Sequence, residues 1–281
     1  SSKLVSIVGE IDNPVTVRVP LGTTVKDTIA MAGKATVKNP AYVMGGPMMG
    51  RLGTDNTVIT KTTNAIIILP PTHKLVVKMD KNMSIEKKRA SSSCCQCRTC
   101  TDICSRHALG HPIEPHKIMR AVANNDTSDL SVFTNSAYCS GCGICENYAC
   151  PQGLSPKSII QEFKAGLRGA GIKIEKVEPA PVDAERDYRK LPVHRLAARL
   201  GLEKYDKPAP FNDDIQESKI VKIPVSQHIG APAMPIVSKG DKVTVGQKIA
   251  EAREGLSVSI HCSIDGVVDK VTEKEIVIKA K

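Results

Sequence analysis

Short runs of branched apolar residues open and close this chain, whereas its middle follows helical spacing. Residues 4–8, 15–19, 42–44, 58–60 and 65–69 are rich in Val, Ile and Leu and read as short strands. Residues 24–32 between the second and third carry helical periodicity and stop at Gly33. This β-β-α-β-β order predicts a β-grasp fold over residues 1–71, closed by the Pro70-Pro71 pair. Toward the C-terminus, residues 220–225, 243–245, 248–252, 258–261 and 267–271 again read as strands. Gly240-Asp241, Gly246-Gln247 and Asp265-Gly266 supply their turns.

The middle repeats itself. Glu114-Pro115 and Ser155-Pro156 each place a capping residue and a helix-starting proline ahead of an apolar-periodic stretch. Residues 171–218 are charged and proline-containing; one short helix, 192–200, ends at Gly201, and the remainder reads as an extended connection wrapping neighbouring modules, or as a plain linker. At 281 residues, two or three domains are expected. We divide the chain into 1–71, a linker 72–93, a helical module 94–170, the connecting segment 171–218 and a β module 219–281. The fold class is α+β multidomain.

Cysteine use changes this picture most. Eight cysteines form two runs, Cys94-x2-Cys97-x2-Cys100-x3-Cys104 and Cys139-x2-Cys142-x2-Cys145-x4-Cys150-Pro151. Three thiolates two residues apart can wrap one loop around three iron corners of a 4Fe–4S cubane, and the fourth corner needs a remote thiolate. The double run resembles that of bacterial ferredoxins holding two such clusters, where each fourth cysteine ligates the other cluster. That resemblance assigns Cys94, Cys97, Cys100 and Cys150 to one cluster, and Cys139, Cys142, Cys145 and Cys104 to the other. Two departures stand out. Ser105 follows Cys104 where proline is usual, and one extra residue precedes Cys150.

Structural zinc takes separated Cys-x2-Cys pairs, which leaves the third cysteine of each run without a role. A disulfide scaffold spreads its cysteines through a short secreted chain, unlike this concentration. Cys95 and Cys262 fall outside the pattern and read as small buried apolar residues. His107, His111 and His116 lie among the runs, but eight thiolates already complete two cubanes. Lys87, Lys88, Arg89 and Arg98 flank the first run, either as a solvated face or as cations favouring a reduced, more negative cluster.

The loop Gly45-Gly46-Pro47-Met48-Met49-Gly50 carries exposed-looking methionines. It lacks the Gly-Lys-Ser/Thr and long helix of a phosphate-binding loop, so packing against a partner domain or a bulky apolar cofactor suits it better. The run from Val237 to Ile249 resembles the half-motif of biotinyl and lipoyl carrier sandwiches. Its tip, Arg253-Glu254-Gly255-Leu256-Ser257, has no lysine to carry a cofactor, which predicts a structural barrel-sandwich hybrid.

The formal charge is +10, yet the chain has no Trp, only 5 Tyr and 3 Phe, and no dense basic tract beyond residues 87–89. Acidic redox partners or cofactors, rather than nucleic acid, are the expected beneficiaries of that charge. The longest aliphatic run, residues 65–69, is far below the roughly 20 residues of a membrane-spanning helix, and no signal segment opens the chain.

The order of a β-grasp module with Gly-Gly-Pro-Met-Met-Gly, the double cysteine run, Pro224-Val225-Ser226-Gln227-His228-Ile229-Gly230-Ala231-Pro232 and a sandwich resembles the cobalamin (corrin) reductases of propanediol-utilisation microcompartments. The cluster-bearing RnfC component of Rnf-type ferredoxin:NAD oxidoreductases is similar in all three modules but carries its sandwich first. The resemblance implies a β-grasp of the soluble-ligand-binding kind and electron transfer through two 4Fe–4S clusters to cobalamin, for adenosylcobalamin regeneration. It further implies an FMN reduced by NADH on an N-terminal domain that this chain lacks, since no Gly-x-Gly-x-x-Gly follows a strand here. The chain, which begins without Met, is therefore expected to be a C-terminal part. Implied partners are cobalamin, its adenosyltransferase and other proteins of a microcompartment in the cytoplasm, without nucleic acid or membrane insertion. No catalytic residue is expected on this chain, and its contacts to FMN and cobalamin are open. A cluster-bearing Rnf-type component and a non-redox scaffold folded around its clusters are the competing functions.

Overall fold

A computed structural model describes residues 1–174, 177–213, 218–227 and 229–281. His228 of the Gln-His-Ile-Gly-Ala-Pro run and parts of the connecting segment lie outside them. The chain divides into two compact units, Ser1–Val76 with Tyr205–Lys281, and Val77–Lys204. Among the described residues, no helix is long and apolar enough to cross a membrane.

The first unit begins with β1 (Ser2–Gly9), β2 (Val15–Pro20), α1 (Val25–Ala30), β3 (Ala41–Met44), β4 (Arg51–Gly53) and β5 (Ala65–Leu69). Alternate residues of β1 and β2, Val5, Ile7, Val17 and Val19, are buried beside Val25 and Ile29 of α1, which is the period of two that a half-buried strand requires. Thr24 caps α1 by accepting from the Asp27 amide at 3.2 Å, while its hydroxyl donates to the Asp27 carboxylate at 2.7 Å.

The strand expected at 58–60 does not form. Val58 makes one isolated bridge to Thr24, and Ile59 is fully buried from a loop whose backbone bonds Thr23 and Gly22. The glycine-rich loop instead turns a hairpin from β3 into β4, which sequence periodicity missed because β4 has three residues. A side chain at Gly50 would lie 2.5 Å from the Gly46 carbonyl oxygen, so this turn is closed by glycine. Met49 at its tip is exposed, as expected, and Met48 is half-buried.

Later in the chain come α2 (Lys74–Met79), α3 (Met83–Ser93), α4 (Thr99–Asp102), α5 (Ser105–Ala108), α6 (Pro115–Asn124), α7 (Ser131–Thr134), α8 (Pro156–Gly169) and α9 (Val193–Leu200). They are followed by β6 (Phe211–Asn212), β7 (Ile220–Pro224), β8 (Met234–Pro235), β9 (Lys242–Val243), β10 (Lys248–Glu251), β11 (Ile260–His261), β12 (Gly266–Val271) and β13 (Glu275–Ala280). β6 joins the N-terminal sheet parallel to β2, giving the order β4-β3-β5-β1-β2-β6. The sheets β7-β13-β12-β9 and β11-β10-β8 enclose Val221, Ile223, Ile249, Ile260, Val268 and Ile276.

The sandwich meets the N-terminal sheet within this unit. The Lys222 amide donates to the Gly22 carbonyl at 2.9 Å and the Ser263 hydroxyl to the Leu21 carbonyl at 2.6 Å. Gly22 has φ of +90°, and a Cβ there would lie 2.8 Å from the Lys222 carbonyl oxygen. Gly22→Ala is therefore expected to cost about 2 kcal/mol or more, from left-handed strain and a backbone clash together. An unchanged denaturant midpoint would contradict this junction.

The stretch expected as a linker holds α2, which runs across the division between the units, and α3 of the second unit. α3 is polar along most of its length, so its periodicity is faint; the visible signal is Asn82, whose side chain accepts from the Ser84 and Ile85 amides at 2.9 and 3.4 Å. Ala90 of α3 packs with Ile118 and Met119 of α6 and Ile159 and Ile160 of α8. Both repeated helices start at their prolines. Neither expected capping side chain caps, because Ser155 donates to Glu86 and Glu114 pairs with Lys117. α9 ends at Gly201, in the left-handed region at φ 71°.

The connecting segment straps this unit. The Ala180 amide donates to the Gly110 carbonyl at 2.9 Å, the Asp183 amide to that of Ala108 at 3.0 Å, and the Val177 amide to the Tyr138 hydroxyl at 3.1 Å.

Candidate metal centre

The eight patterned cysteines line two cups in the second unit. One, about 380 Å³ including space open to solvent, is lined by the patterned Cys94, Cys97, Cys100 and Cys150, with Cys95 beside them; the other, about 330 Å³, by Cys104, Cys139, Cys142 and Cys145. Each cup takes three cysteines from one run and the fourth from the other. Cys94 and Cys150 of one cup and Cys104 and Cys139 of the other pack against the same hydrophobic cluster, so the cups adjoin.

Backbone conformation makes the two runs alike. Residues on either side of the middle cysteine are left-handed in both: Gln96 and Arg98, at φ 56° and 66°, around Cys97, and Gly141 and Gly143, at 73° and 78°, around Cys142. Such turns fold three cysteines around a common centre. In the second run glycine adopts them freely, whereas Gln96 and Arg98 each cost about 1 kcal/mol.

The extra residue before Cys150 is absorbed by a π-helical turn, Cys145–Ala149, in which the Cys150 amide bonds the Cys145 carbonyl at 3.2 Å. In the first run the Cys104 amide closes a tighter turn on Thr101 at 2.9 Å. Ser105 still opens a short helix, so the missing proline leaves Cys104 at a helix entry.

The chemistry of the donors suits a cationic iron core. Burial, and then the neighbouring Cys150, Cys97 and Cys94, push the Cys100 thiol up to about 12. Burial likewise raises Cys104, and raises Cys145 well above the usual thiol value, with Cys104 and Cys139 adding to it. Thiols crowded in this way ionise readily only when a metal cation compensates them. Cys97 moves the other way, because the Thr99 hydroxyl donates to its sulfur at 3.3 Å. The Gly141 and Leu154 amides donate to Cys139 and Cys150 at 3.3 Å each, and donors of this kind stabilise negative charge on sulfur. Among the described residues no three His, Cys, Asp or Glu side chains converge as a single-ion site; the thiols line cups.

The remaining candidates sort by position. Cys262 is buried in the sandwich core, as expected, its thiol donating to the Ile264 carbonyl at 3.0 Å. Cys95 is exposed rather than buried, and lines the first cup next to Cys94 and Cys97. His116 lines that cup with its Nδ1 2.8 Å from the Thr101 hydroxyl; His107 Nδ1 lies 3.1 Å from the Ile113 carbonyl, and His111 Nε2 lies 3.1 Å from the Arg106 guanidinium. Lys87, Arg89 and Arg98 pair with Glu162, Glu86 and Asp102 at 2.5, 2.8 and 3.3 Å, so their charge is partly neutralised; Arg98 remains at the rim. Sequence reasoning missed a buried polar network below Cys150, built on Lys78, Lys81, Glu86, Glu146 and Ser155.

Three domain families match the chain: a soluble-ligand-binding (SLBB) domain at residues 4–52, a 4Fe-4S dicluster domain at 93–155, and an RnfC barrel sandwich hybrid domain at 208–281. The cobalamin reductase PduS of Salmonella typhimurium is 38% identical over 279 residues, 98% of this chain and 61% of that protein. The cobalamin reductase PduS of Citrobacter freundii is 36% identical over 278 residues, with the same shares. The chain thus spans 61% of the length of these relatives. A component of the Na(+)-translocating ferredoxin:NAD(+) oxidoreductase complex of Acetobacterium woodii is 46% identical over 59 residues, 21% of this chain and 13% of that protein.

Proposed function

We propose that this chain is the electron-transferring part of a cobalamin reductase. In this reading Cys94, Cys97, Cys100 and Cys150 hold one 4Fe–4S cluster, and Cys104, Cys139, Cys142 and Cys145 hold a second. The observation that carries it is the sorting of eight thiols into two adjoining cups, each crossing the two runs. Similarity along 98% of the chain to reductases named for cobalamin supports the acceptor.

When bound, such clusters supply reversible one-electron carriage. The chain's own residues prepare for it in three ways. The left-handed turns around Cys97 and Cys142 preset the thiols, so little rearrangement is needed on loading. Thr99, Gly141 and Leu154 aim donors at sulfur, and Arg98 adds a cation at the first rim; both favour the more negative state. Exposure of Cys97 and its neighbours leaves the first cup the more accessible, whereas Cys145 of the second is buried.

The electron source in this reading is FMN reduced by NADH on a domain outside the chain, and the acceptor is the corrinoid cobalt, free or held by its adenosyltransferase, in a cytoplasmic microcompartment. Residues 1–71 are read as a β-grasp module, with 94–170 as the cluster module, 219–281 as the sandwich, and 72–93 and 171–218 as the stretches between them. A second reading, a component of an ion-translocating ferredoxin:NAD oxidoreductase, is favoured by the higher identity over a 59-residue stretch, but that likeness covers 21% of the chain. Co-purification with membrane proteins of such a complex would favour it.

The test is analytical. Anaerobically reconstituted protein is expected to carry about eight irons and eight sulfides, with a cubane spectrum that bleaches on reduction. Protein binding only zinc would end the proposal.

A further inference from the structure

Beneath Cys150 lies a group of buried charges that the cluster assignment does not use. Glu146 occupies the π-helical turn and is 4% exposed. One carboxylate oxygen accepts from the Ser158 amide and hydroxyl, both at 2.9 Å, and the other pairs with Lys81. Ser158 is the third residue of α8, so Glu146 supplies the N-terminal cap that Ser155 does not. The Glu146 backbone carbonyl accepts from Lys78. Lys81 also donates to the Ser155 hydroxyl at 3.1 Å, which in turn donates to Glu86 at 2.5 Å, and Arg199 reaches the Cys150 carbonyl at 3.4 Å.

These contacts meet where the second run carries its extra residue. A π-helical turn is rare and needs support from outside itself. Here the support is a carboxylate tied to the start of α8 and to Lys81 ahead of α3, with Lys78 holding the backbone carbonyl of the same residue. Without it, the residues leading from Cys145 to Cys150 could relax to a tighter turn, and Cys150 would rotate out of the first cup.

We infer that Glu146 is a positioning residue, whose clamp between Lys81 and the start of α8 aims Cys150 at the cup of Cys94, Cys97 and Cys100. The inference rests on the two-cluster reading and adds to it the residue that makes the crossed fourth ligand possible despite the longer spacing. Cys145 of the second cup opens the same turn, but Cys104, Cys139 and Cys142 lie outside it, so the first cup, whose Cys150 follows the turn, bears the larger effect.

Glu146→Ala and Glu146→Gln in the full chain test this, with iron content, the electron paramagnetic resonance of each reduced cluster and their midpoint potentials as readouts. Cys97→Ser identifies which signal belongs to the first cup. In Glu146→Ala the first-cup signal is expected to disappear or shift in potential, with iron falling toward about half, while the second-cup signal stays. Glu146→Gln can keep the Ser158 bonds and is expected to retain both clusters, with only the first-cup signal displaced. Should Glu146→Ala fail to fold by circular dichroism, Lys81→Met combined with Ser158→Ala takes its place with the same expected selectivity. A first-cup signal and potential identical to wild type, or equal damage to both clusters, would overturn the inference alone. Wild-type protein that binds no pair of clusters would overturn the underlying reading as well.

Discussion

Cys150→Ala is expected to remove the cluster shared with Cys94, Cys97 and Cys100, and to leave the one held by Cys139, Cys142, Cys145 and Cys104. Iron should fall from about eight to about four per chain, and one of two paramagnetic signals should vanish. Cys104→Ala should give the mirror image. The expectation follows from which cup each sulfur lines, and from the π-helical turn that carries Cys150 across despite its longer spacing. Cys95→Ser and Cys262→Ser should change neither count, since one thiol is exposed on a rim and the other is bonded within the sandwich. If Cys150→Ala instead damaged the cluster of its own run, the crossed assignment would be wrong.

How much of this is legible in the chain follows from how local each signal is. Cysteine spacing is a strong local signal, because two residues between thiols suit a loop wrapped around one centre. The prolines at 115 and 156 and the glycine at 201 likewise mark helix ends by their own stereochemistry, and the helices obey them. Elements set by tertiary contact are less visible. Ile59 reads as a strand residue because it is apolar and branched, yet its backbone is tied to Thr23 and Gly22 in a loop. α3 reads as a linker because its buried face includes Glu86, a charge that makes sense only beside Arg89 and Ser155. Glu146 escapes notice for the same reason: its meaning lies in Lys81 and Ser158, 65 and 12 residues away. The left-handed Gln96 and Arg98 are hidden as well, since only their glycine counterparts announce such a conformation in sequence.

The central claim is that this chain carries electrons to a corrinoid through its own clusters, and reduction of cob(III)alamin tests it most directly. With an artificial low-potential donor, reconstituted protein is expected to accelerate that reduction at least about tenfold over donor alone, a barrier difference of about 1.4 kcal/mol. The double variant Cys97→Ser with Cys142→Ser should lose the acceleration, having lost a ligand from each cup. NADH with free FMN should not substitute for the donor, because the chain has no dinucleotide fingerprint. Equal acceleration by the folded, cluster-free double variant would show that the corrinoid is reduced without the iron-sulfur centres, and would contradict the account.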